Sequence, residues 1–314
     1  MNPRQNTNPT ALLGAFKKGT VALFIGPHAL CTPSGQTVQE SLLQYLHEQL
    51  PQGSYSFYPD DELFHFKEGR RVGTAKQLME SFFDTKPAEV AFTAKLVDLP
   101  VPFIVSASLD PHIETALKAV CPTATADFYT SAENPGKIDG ELPTVEKPLF
   151  YQIFGSLKEY DSLILTHDDL FKYIAAIMGD KQLHPDFKTA IKGIKHFIFL
   201  GFKFEKWYVQ LLLQLLNVNN GKSERTSTYH GTNEHVTALC NDQFSIDFVD
   251  KNIVEYVNEM YDICKKNNLL RSQQLAEKKN TQVLSTRLIE LLEQNEMRQV
   301  IDKMKAFFEE IKLT

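Results

Sequence analysis

The sequence predicts an α/β fold, in which a mainly parallel β-sheet carries helices on both faces. Two features of the chain predict it. Short apolar runs closed by glycine or a small polar residue recur along the sequence, and segments with apolar residues every three or four positions lie between them. The runs are typical of strands buried on both faces, and the intervening segments are typical of amphipathic helices. Strands that alternate with helices in this way form parallel sheets.

The first element is the run TVALFIG at residues 20–26, whose apolar residues and closing glycine predict a buried strand. A loop follows, and then Val38, Leu42, Leu46 and Leu50 recur at intervals of four, which places them on one face of a helix. A strand, a glycine loop and a helix in this order are typical of the opening of a Rossmann-like nucleotide-binding domain.

The same alternation continues along most of the chain. Further strands are predicted in PFIVSASLD, PLFYQIF, SLILT, KHFIFLG and QFSIDFV. Helices are predicted from Asp110 to about Val120, in HDDLFKYIAAIMG behind the capping-box pair Thr166 and Asp169, from about Phe204 to Leu216, and in KNIVEYVNEMYDIC. The predicted sheet therefore has helices to cover both of its faces.

Three segments interrupt this alternation. Residues 55–100 contain helical patterns around LFHFKEG and AKQLMESFF with no strand between them, which predicts an inserted helical module. The Asn-, Ser- and Thr-rich residues 217–235 predict an exposed loop. Two amphipathic helices with a break near Asn295 are predicted in the last segment, so we expect a Rossmann-type domain at residues 1–265 and a C-terminal helical extension at residues 266–314. The apolar faces of the extension must be buried, either on the parent domain or on a protein partner or a second copy of the chain.

Composition and charge argue against several classes of protein. The net charge of the 314 residues is −6 and no basic stripe alternates with aromatic residues, so binding of nucleic acid is not expected. No apolar run approaches the roughly 20 residues of a transmembrane helix, and the polar N-terminus lacks the apolar core of a signal peptide. We therefore expect a cytoplasmic protein that does not contact a membrane. The four cysteines include no Cys-x-x-Cys pair and the nine histidines no His-Glu-x-x-His, so no zinc or other metal site is predicted.

Four segments, in this order, resemble the motifs of one family. LFIGPHAL lies where that family has Gly-Ala-Gly-x-Ser, and VSASLD lies where it has Thr-Thr-Asn-Tyr-Asp. IFGSL lies where it has Leu-His-Gly-Ser-Leu, and IFLGFKFEKW where it has an apolar strand, Gly-Tyr-Ser and a downstream Asp-Trp. The family is the bacterial sirtuin-like family, in its zinc-free branch of NAD-consuming effectors of antiphage defence. The resemblance covers about residues 20–262.

The resemblance implies that NAD or ADP-ribose binds across the carboxyl ends of the strands, with the phosphates near the first glycine loop. In the family, the asparagine of the second motif positions a water or a ribose hydroxyl, and the histidine before glycine acts as a general base on the ribose. The positions that the resemblance assigns to cofactor binding are Gly26, His28, Ser108, Asp110, Gly155, Ser156 and Gly201.

The chain departs from the family at the residues that carry the chemistry. The histidine before glycine is Phe154, the asparagine is Ser108, and the second glycine of the first loop is His28. A phenyl ring cannot take a proton, and a histidine side chain occupies space that a glycine leaves to the diphosphate. The other glycines of the motifs are kept, as are Asp110 and Ser156. This pattern predicts a catalytically degenerate sirtuin-like protein with a nucleotide-sensing or scaffolding role in bacterial antiphage defence.

Two other hypotheses stay open. In the first, the chain is an active NAD glycohydrolase with a substitute base, for which His28 and His112 are the candidates. In the second, it is a protein-interaction module that binds no ligand, and its strand-end cleft is filled by Phe154, Leu30 and Leu109.

Several of these residues also have purely structural interpretations. Phe154 is equally a core aromatic residue at the end of a strand, and Asp110 is equally a helix N-cap. His28 is also interpreted as a surface residue of a loop, and His112 as a solvated residue in the first turn of a helix. The acidic run of residues 60–62 is interpreted as carboxylates in the first turn of a helix, stabilised by its dipole, rather than as a cation site.

Overall fold

The structure is a computed structural model that describes residues 9–32, 35–85, 90–131, 141–179, 181–215, 223–228, 234–294 and 298–312. Its strands are β1 Val21–Ile25, β2 Tyr55–Tyr58, β3 Leu63–Phe66, β4 Phe103–Ser106, β5 Thr125–Phe128, β6 Leu149–Gln152, β7 His196–Leu200, β8 Glu224–Thr228 and β9 Asp247–Val249. Its α-helices are α1 Pro9–Lys17, α2 Val38–Gln49, α3 Arg70–Thr85, α4 Val90–Asp98, α5 His112–Val120, α6 His167–Met178, α7 Pro185–Lys192, α8 Trp207–Leu215, α9 Glu234–Phe244, α10 Ile253–Lys266, α11 Arg271–Gln294 and α12 Arg298–Lys312.

Seven strands form one parallel sheet in the order β5-β6-β4-β1-β7-β8-β9. At the centre, Ile25 at the end of β1 pairs with Ser106 at the end of β4 and with Leu200 at the end of β7. Ser106 pairs in turn with Gln152 at the end of β6. The carboxyl ends of these four strands therefore meet at one edge of the sheet, which we call the strand-end edge. The predicted α/β Rossmann-like fold is confirmed.

Both faces of this sheet are buried under helices. Along β1, Val21, Leu23 and Ile25 belong to one apolar core, and Ala22 and Phe24 belong to the core on the opposite face. Helices α1 to α5 and α10 close the first core, and α6 to α9 close the second. Burial on both sides explains why the central strands appear in the sequence as continuous apolar runs.

The predicted helix starts are largely confirmed. The hydroxyl of Thr166 accepts a hydrogen bond from the backbone N–H of Asp169, and the Asp169 carboxylate closes the predicted capping box in return. Helix α10 matches its predicted segment and has a capping box of its own. Helix α8 begins at Trp207, three residues later than predicted.

The first part of the inserted segment is a β-hairpin, not a helix. Strands β2 and β3 pair in antiparallel register, and the predicted helix around LFHFKEG is therefore wrong. In β3, buried Phe64 and Phe66 alternate with exposed His65, which is the period of a strand. The helix predicted in AKQLMESFF is confirmed as α3, and α4 follows it.

Strand β8 lies in the segment predicted to be an exposed loop, and that prediction is wrong for Glu224–Thr228; part of it falls outside the described residues. The strand is polar but buried because its side chains find partners inside the protein. The hydroxyls of Thr226 and Tyr256 lie 3.0 Å apart, and Ser227 Oγ donates to a carbonyl oxygen of β7 at 3.1 Å. Such hydrogen bonds offset the cost of removing polar groups from water.

The segment SLILT does not form a strand of the sheet. A short 3₁₀ turn at Tyr160–Ser162 opens it, and the following residues run extended to the start of α6. There the backbone N–H of Phe64 donates to the carbonyl oxygen of Leu165 at 2.9 Å, which joins the hairpin to this segment. Leu163 and Leu165 are buried, and this burial explains the strand-like composition of the segment.

The two helices predicted for the C-terminal extension are present as α11 and α12, and the predicted break near Asn295 lies outside the described residues. The guanidinium group of Arg271, at the start of α11, donates to the carbonyl oxygens of Val97, Val101 and Val145. Burial lowers the pKa of Arg271 to about 10. Among the described helices, none combines the length and hydropathy that a membrane span requires.

Candidate functional site

The candidate site lies at the strand-end edge, where the loops that follow β1, β4, β6 and β7 come together. The register of the four strands places the residue after each of them at the same level of the sheet. The residues predicted from the sequence that lie on these loops are Gly26, His28, Ser108, Asp110, Phe154, Gly155, Ser156 and Gly201, and His112 lies at the start of α5.

The loops after β1 and β7 pack directly against each other through two glycines. A Cβ atom added to Gly26 would overlap the carbonyl oxygen of Gly201. A Cβ atom added to Gly201 would overlap the backbone of Ala29, and Gly201 also has a φ of +67°, in the left-handed region that favours glycine. Both glycines are therefore explained by backbone contact between the loops, without a ligand.

The same contact uses the backbone donors of the first loop. Gly26 N–H donates to the carbonyl oxygen of Leu200 at 2.7 Å, and His28 N–H donates to that of Gly201 at 3.1 Å. Ala29 N–H donates back to Gly26 at 3.1 Å, and the residue between them is a proline, which has no N–H. A loop that cradles a phosphate must point its N–H groups at the ligand. In residues 26–29, none is left to do so.

Backbone donors at the N-terminus of α2, which follows this loop, are also satisfied within the protein. Glu40 N–H donates to the hydroxyl of Thr37 at 3.1 Å, and Thr37 N–H donates to the Glu40 carboxylate at 3.1 Å. This capping box satisfies donors that an anion would otherwise use, and it places a carboxylate at the positive end of the helix dipole.

A carboxylate from outside the sheet lies beside the first loop. Glu62, at the turn of the β2–β3 hairpin, accepts hydrogen bonds at Oε1 from His28 Nε2 at 3.0 Å and from Lys203 Nζ at 2.6 Å. Gln39 Nε2 donates to Oε2 at 3.3 Å, and Lys206 Nζ lies 3.3 Å from Oε1. The side chain of Glu62 is 9% exposed and that of His28 is 1% exposed, so their contact is shielded from water. We call these five residues the Glu62 cluster.

The charges in the Glu62 cluster favour an ionised carboxylate. Burial tends to raise the pKa of Glu62, but the hydrogen bond and charge of His28, with the two lysine ammonium groups, hold it well below its ordinary value. An ionised carboxylate only accepts hydrogen bonds, so Nε2 of His28 carries a hydrogen and cannot act there as a base. Burial lowers the pKa of Lys206, while the charge of Glu62 opposes that effect. The interpretation of His28 as a surface residue is wrong.

The acidic run that contributes Glu62 belongs to the hairpin turn, so the prediction that it opens a helix is wrong. Glu62 has a φ of +57°, a conformation that residues other than glycine adopt only when their surroundings hold them in it. Beside it, Asp61 Oδ2 lies 3.0 Å from His167 Nε2, and the Tyr208 hydroxyl donates to the Asp61 carbonyl oxygen at 3.2 Å. These contacts hold the turn against the strand-end edge.

On the second loop, the Asp110 carboxylate binds the N-terminus of α5. Its Oδ1 accepts a hydrogen bond from the backbone N–H of His112 at 2.8 Å and lies 2.8 Å from His112 Nδ1. This hydrogen bond raises the pKa of His112 in spite of the opposing effect of burial. Ser108 belongs to the same local turn, since its Oγ accepts from Asp110 N–H at 3.3 Å. Helix α5 has Pro111 at the N-cap position, so Asp110, which was predicted as the cap, lies one residue before it, although its carboxylate accepts from the first N–H of the helix.

The loop after β6 packs against the 3₁₀ turn at Tyr160–Ser162. A Cβ atom added to Gly155 would overlap the carbonyl oxygen of Ser162, so glycine is required for the close approach of these segments. Ser156 N–H donates to Ser162 Oγ at 2.9 Å, and Ser156 is buried. Both predicted residues thus stabilise a turn between β6 and the 3₁₀ segment.

Phe154 forms part of an aromatic wall at the strand-end edge. Its ring lies edge-on to Tyr173, with 5.5 Å between centroids, and to Tyr208, with 6.1 Å. Burial, with nearby carboxylates, raises the pKa of Tyr208 well above its ordinary value, so the phenol stays protonated. Neither Phe154 nor Tyr208 can therefore take a proton from a substrate.

Between these groups lies a cleft of about 70 Å³. It is lined mainly by apolar side chains, among them Leu63, Leu109, Phe154 and Leu170, with the carboxylates of the hairpin turn at one side. Pockets that bind small molecules usually measure about 300–1,000 Å³. Phe154 and Leu109 line the cleft, as expected for an interaction module. Leu30 does not, since it is buried in the core that contains Val21, Leu23 and Ile25. His112, a candidate base, does not line the cleft either.

Sequence reasoning missed Glu62, Gln39 and Lys206, although a local signal was present. The segment YSFYPDDELFHF has alternating residues on both sides of a Pro-Asp-Asp turn, which is a hairpin signal. Recognition of that hairpin would have placed Glu62 at a loop tip. Its position beside His28 depends on the tertiary packing of the insertion and has no signal in the local sequence.

Residues 102–248 match the family model of a SIR2-like domain. The match begins just before β4 and ends in β9, and it covers slightly less than half of the chain. The first loop and the hairpin precede it, and α10 to α12 follow it. The match supports a sirtuin-like family for this chain, as the four motifs do. No curated protein shows significant similarity to the chain.

SIR2-like proteins generally bind NAD, and the described residues do not fit it in this conformation. The amides of the first loop are engaged, the Glu62 carboxylate lies beside that loop, and the cleft is smaller than a dinucleotide requires. Within the described residues, no group of three or more His, Cys, Asp or Glu side chains is arranged to hold a metal ion.

Proposed function

We propose that this chain is a catalytically degenerate sirtuin-like protein, which does not cleave NAD and which has a nucleotide-sensing or scaffolding role. The observation that carries the proposal is the closed first loop with the Glu62 carboxylate beside it. In the family that the motifs resemble, the diphosphate lies at this loop. A fixed carboxylate repels a phosphate and keeps it from the cations that would bind it.

The side chains at the cleft also support the loss of hydrolysis. Phe154 stands at the position of the family's base, and its neighbour Tyr208 stays protonated. The two carboxylates of the cleft are each held by a partner, Asp61 by His167 and Glu62 by Lys203. The contacts of Glu62 also hold its pKa well below the ordinary value, which makes its carboxylate a weak base.

The test is a titration of the purified protein with NAD, with binding followed by calorimetry and free nicotinamide by chromatography in the same samples. We expect no nicotinamide above a protein-free blank. The variant Phe154→His supplies the missing imidazole, and we expect it to release none either, since the first loop stays closed. Nicotinamide release by the wild-type protein would overturn the proposal.

The variants His28→Ala and His112→Ala separate degeneracy from the hypothesis of an active glycohydrolase with a substitute base. Turnover that is abolished in one of them would identify that base. The structure gives this hypothesis little support, because His28 is bound to Glu62 and His112 lies outside the cleft.

The proposed setting is bacterial antiphage defence, and it rests on the resemblance of the four motifs to effectors of that kind. A degenerate member of such a system acts through binding rather than turnover. The part of the chain suited to binding is the C-terminal pair of helices, which pack against each other.

We propose that α11 and α12 bind a second copy of the chain. Val283, Leu284 and Leu288 of α11 and Phe307 of α12 are exposed, and the first two are more than 60% exposed. The two helices carry eight basic and six acidic residues, so their net charge is small, although the chain as a whole has a net charge of −6. Two such hairpins can therefore approach without strong repulsion and bury their apolar faces as a four-helix bundle.

A further inference from the structure

The Glu62 cluster brings two lysine ammonium groups, an imidazole and an amide to the oxygens of one carboxylate. Lys203 and Lys206 come from the loop after β7, and His28 comes from the loop after β1. Lys206 is buried, and its ammonium group makes no hydrogen bond within the described residues, although Glu62 Oε1 lies 3.3 Å away. A buried ammonium group requires a nearby anion, because water no longer stabilises its charge.

The anion that this position holds is not part of the sheet that builds it. The cationic side chains lie on loops of the seven-stranded sheet, whereas Glu62 comes from the tip of the separate two-stranded hairpin. Glu62, the residue of the tip that enters the cluster, has a left-handed backbone conformation. Asp61 and Glu40 add negative charge nearby. The charge of Asp61 raises the pKa of Lys206, and the charges of His28 and Lys203 lower the pKa of Glu40.

We infer that His28, Lys203, Lys206 and Gln39 form a binding site for a phosphate or diphosphate group, and that Glu62 is its internal occupant. A ligand binds when the hairpin tip withdraws and its phosphate oxygens replace the two carboxylate oxygens. Two lysine ammonium groups, an amide and an imidazole N–H are suitable donors for such an anion. The inference rests on the proposed function, in which this edge senses a nucleotide instead of cleaving it, and it supplies the step that couples binding to a conformational change.

The experiment compares the wild-type protein with Glu62→Gln, which keeps the shape of the side chain and removes its charge. Inorganic pyrophosphate and ADP-ribose are titrated separately by calorimetry. We expect Glu62→Gln to bind pyrophosphate at least tenfold more tightly than the wild type. Tightening with ADP-ribose as well would identify a nucleotide diphosphate as the ligand, and tightening with pyrophosphate alone would identify a free phosphate compound. Either pattern supports the site.

Asp60→Asn is the matched control, because it removes an equal charge from the same turn and Asp60 is an exposed residue. We expect its affinities to stay within threefold of the wild type. Adding Lys203→Ala to Glu62→Gln should abolish the tightening, since it removes the closest donor. Glu62→Asp, which shortens the occupant by one methylene group, should tighten pyrophosphate binding if Glu62→Gln does not fold.

A readout on the wild-type protein does not depend on any variant. At millimolar pyrophosphate, hydrogen exchange of the Phe64 amide, which donates to the Leu165 carbonyl oxygen at 2.9 Å and joins the hairpin to the segment before α6, should become faster as the tip withdraws. Unchanged exchange, or folded Glu62 variants that bind both probes no more tightly than the wild type, would overturn the inference. Nicotinamide release from NAD by the wild type would instead overturn the proposed function, whatever the affinity of Glu62→Gln for pyrophosphate. The two failures are therefore distinguishable, because they are measured in different assays.

Discussion

Replacement of Glu62 by glutamine should destabilise the folded protein at neutral pH by about 3 kcal/mol. Removing one partner of a buried ion pair costs about 3–5 kcal/mol, because the other charge stays buried without compensation. Glutamine keeps one acceptor oxygen for His28 or Lys203, which places the loss at the lower end of that range. A domain with a free energy of unfolding of about 5–15 kcal/mol remains folded after such a loss.

The pH dependence of this effect has a definite direction. The pKa of Glu62 is lower in the folded protein than in the unfolded chain. Its carboxylate therefore stabilises the protein at pH values above the unfolded pKa, about 4.3, and the stabilisation is lost as the pH falls through the folded pKa. The difference in stability between the wild type and Glu62→Gln should be large at neutral pH and should narrow below about pH 4.3.

Urea unfolding at a series of pH values, followed by circular dichroism, measures this difference. Asp60→Asn serves as the control and should change the free energy of unfolding by less than about 0.5 kcal/mol, as exposed substitutions usually do. A loss below about 1 kcal/mol for Glu62→Gln at pH 7, or a difference that does not narrow below about pH 4.3, would show that the cluster does not hold an ionised carboxylate.

Three further predictions concern other parts of the molecule. Gly201→Ala should lower the free energy of unfolding by at least about 2 kcal/mol, because its Cβ atom would overlap the loop after β1. Gly53→Ala, also at positive φ but with open space around it, should lower it by about 1 kcal/mol. Equal losses in urea unfolding would refute the loop contact. Arg271→Ala should cost at least about 2 kcal/mol through three lost carbonyl hydrogen bonds, and an unchanged thermal midpoint would contradict this. The wild type should be a dimer by light scattering and Leu284→Glu a monomer, while Gln282→Glu, a similar charge change on the same helix, should remain dimeric; a monomeric wild type, or a partner other than the chain itself, would refute self-association.

The sequence was sufficient for the sheet because the central strands are buried on both faces. TVALFIG and KHFIFLG form continuous apolar runs, and such runs have few alternatives to a core strand of this length. Strand β8 was not predictable in the same way, since its residues are polar and are buried only because Tyr256 and the carbonyl groups of β7 satisfy them. A local pattern does not record partners that are distant in the chain.

The site was predictable as a set of positions but not as a set of contacts. The motifs located Gly26, Phe154 and Gly201 at the strand-end edge, since each follows a predicted strand closely. The contacts that His28 makes could not be predicted from the sequence. Whether that side chain points to solvent or to a buried carboxylate depends on the hairpin, which was itself predicted as a helix.

The side chains of the Glu62 cluster form a coupled set rather than a series of independent contacts. A buried imidazole at position 28 needs an acceptor, and Glu62 provides it; the two lysines need an anion, and Glu62 provides that also. Replacing His28 by glycine alone would leave the Glu62 carboxylate in place, and removing Glu62 alone would leave the four other side chains of the Glu62 cluster without their acceptor. Sites coupled in this way do not respond independently to substitution, so fitting a dinucleotide at this edge would require the first loop and the hairpin tip to be altered together. The hairpin tip and the first loop both precede the SIR2-like match, so the match does not depend on His28, Gln39 or Glu62 of the Glu62 cluster.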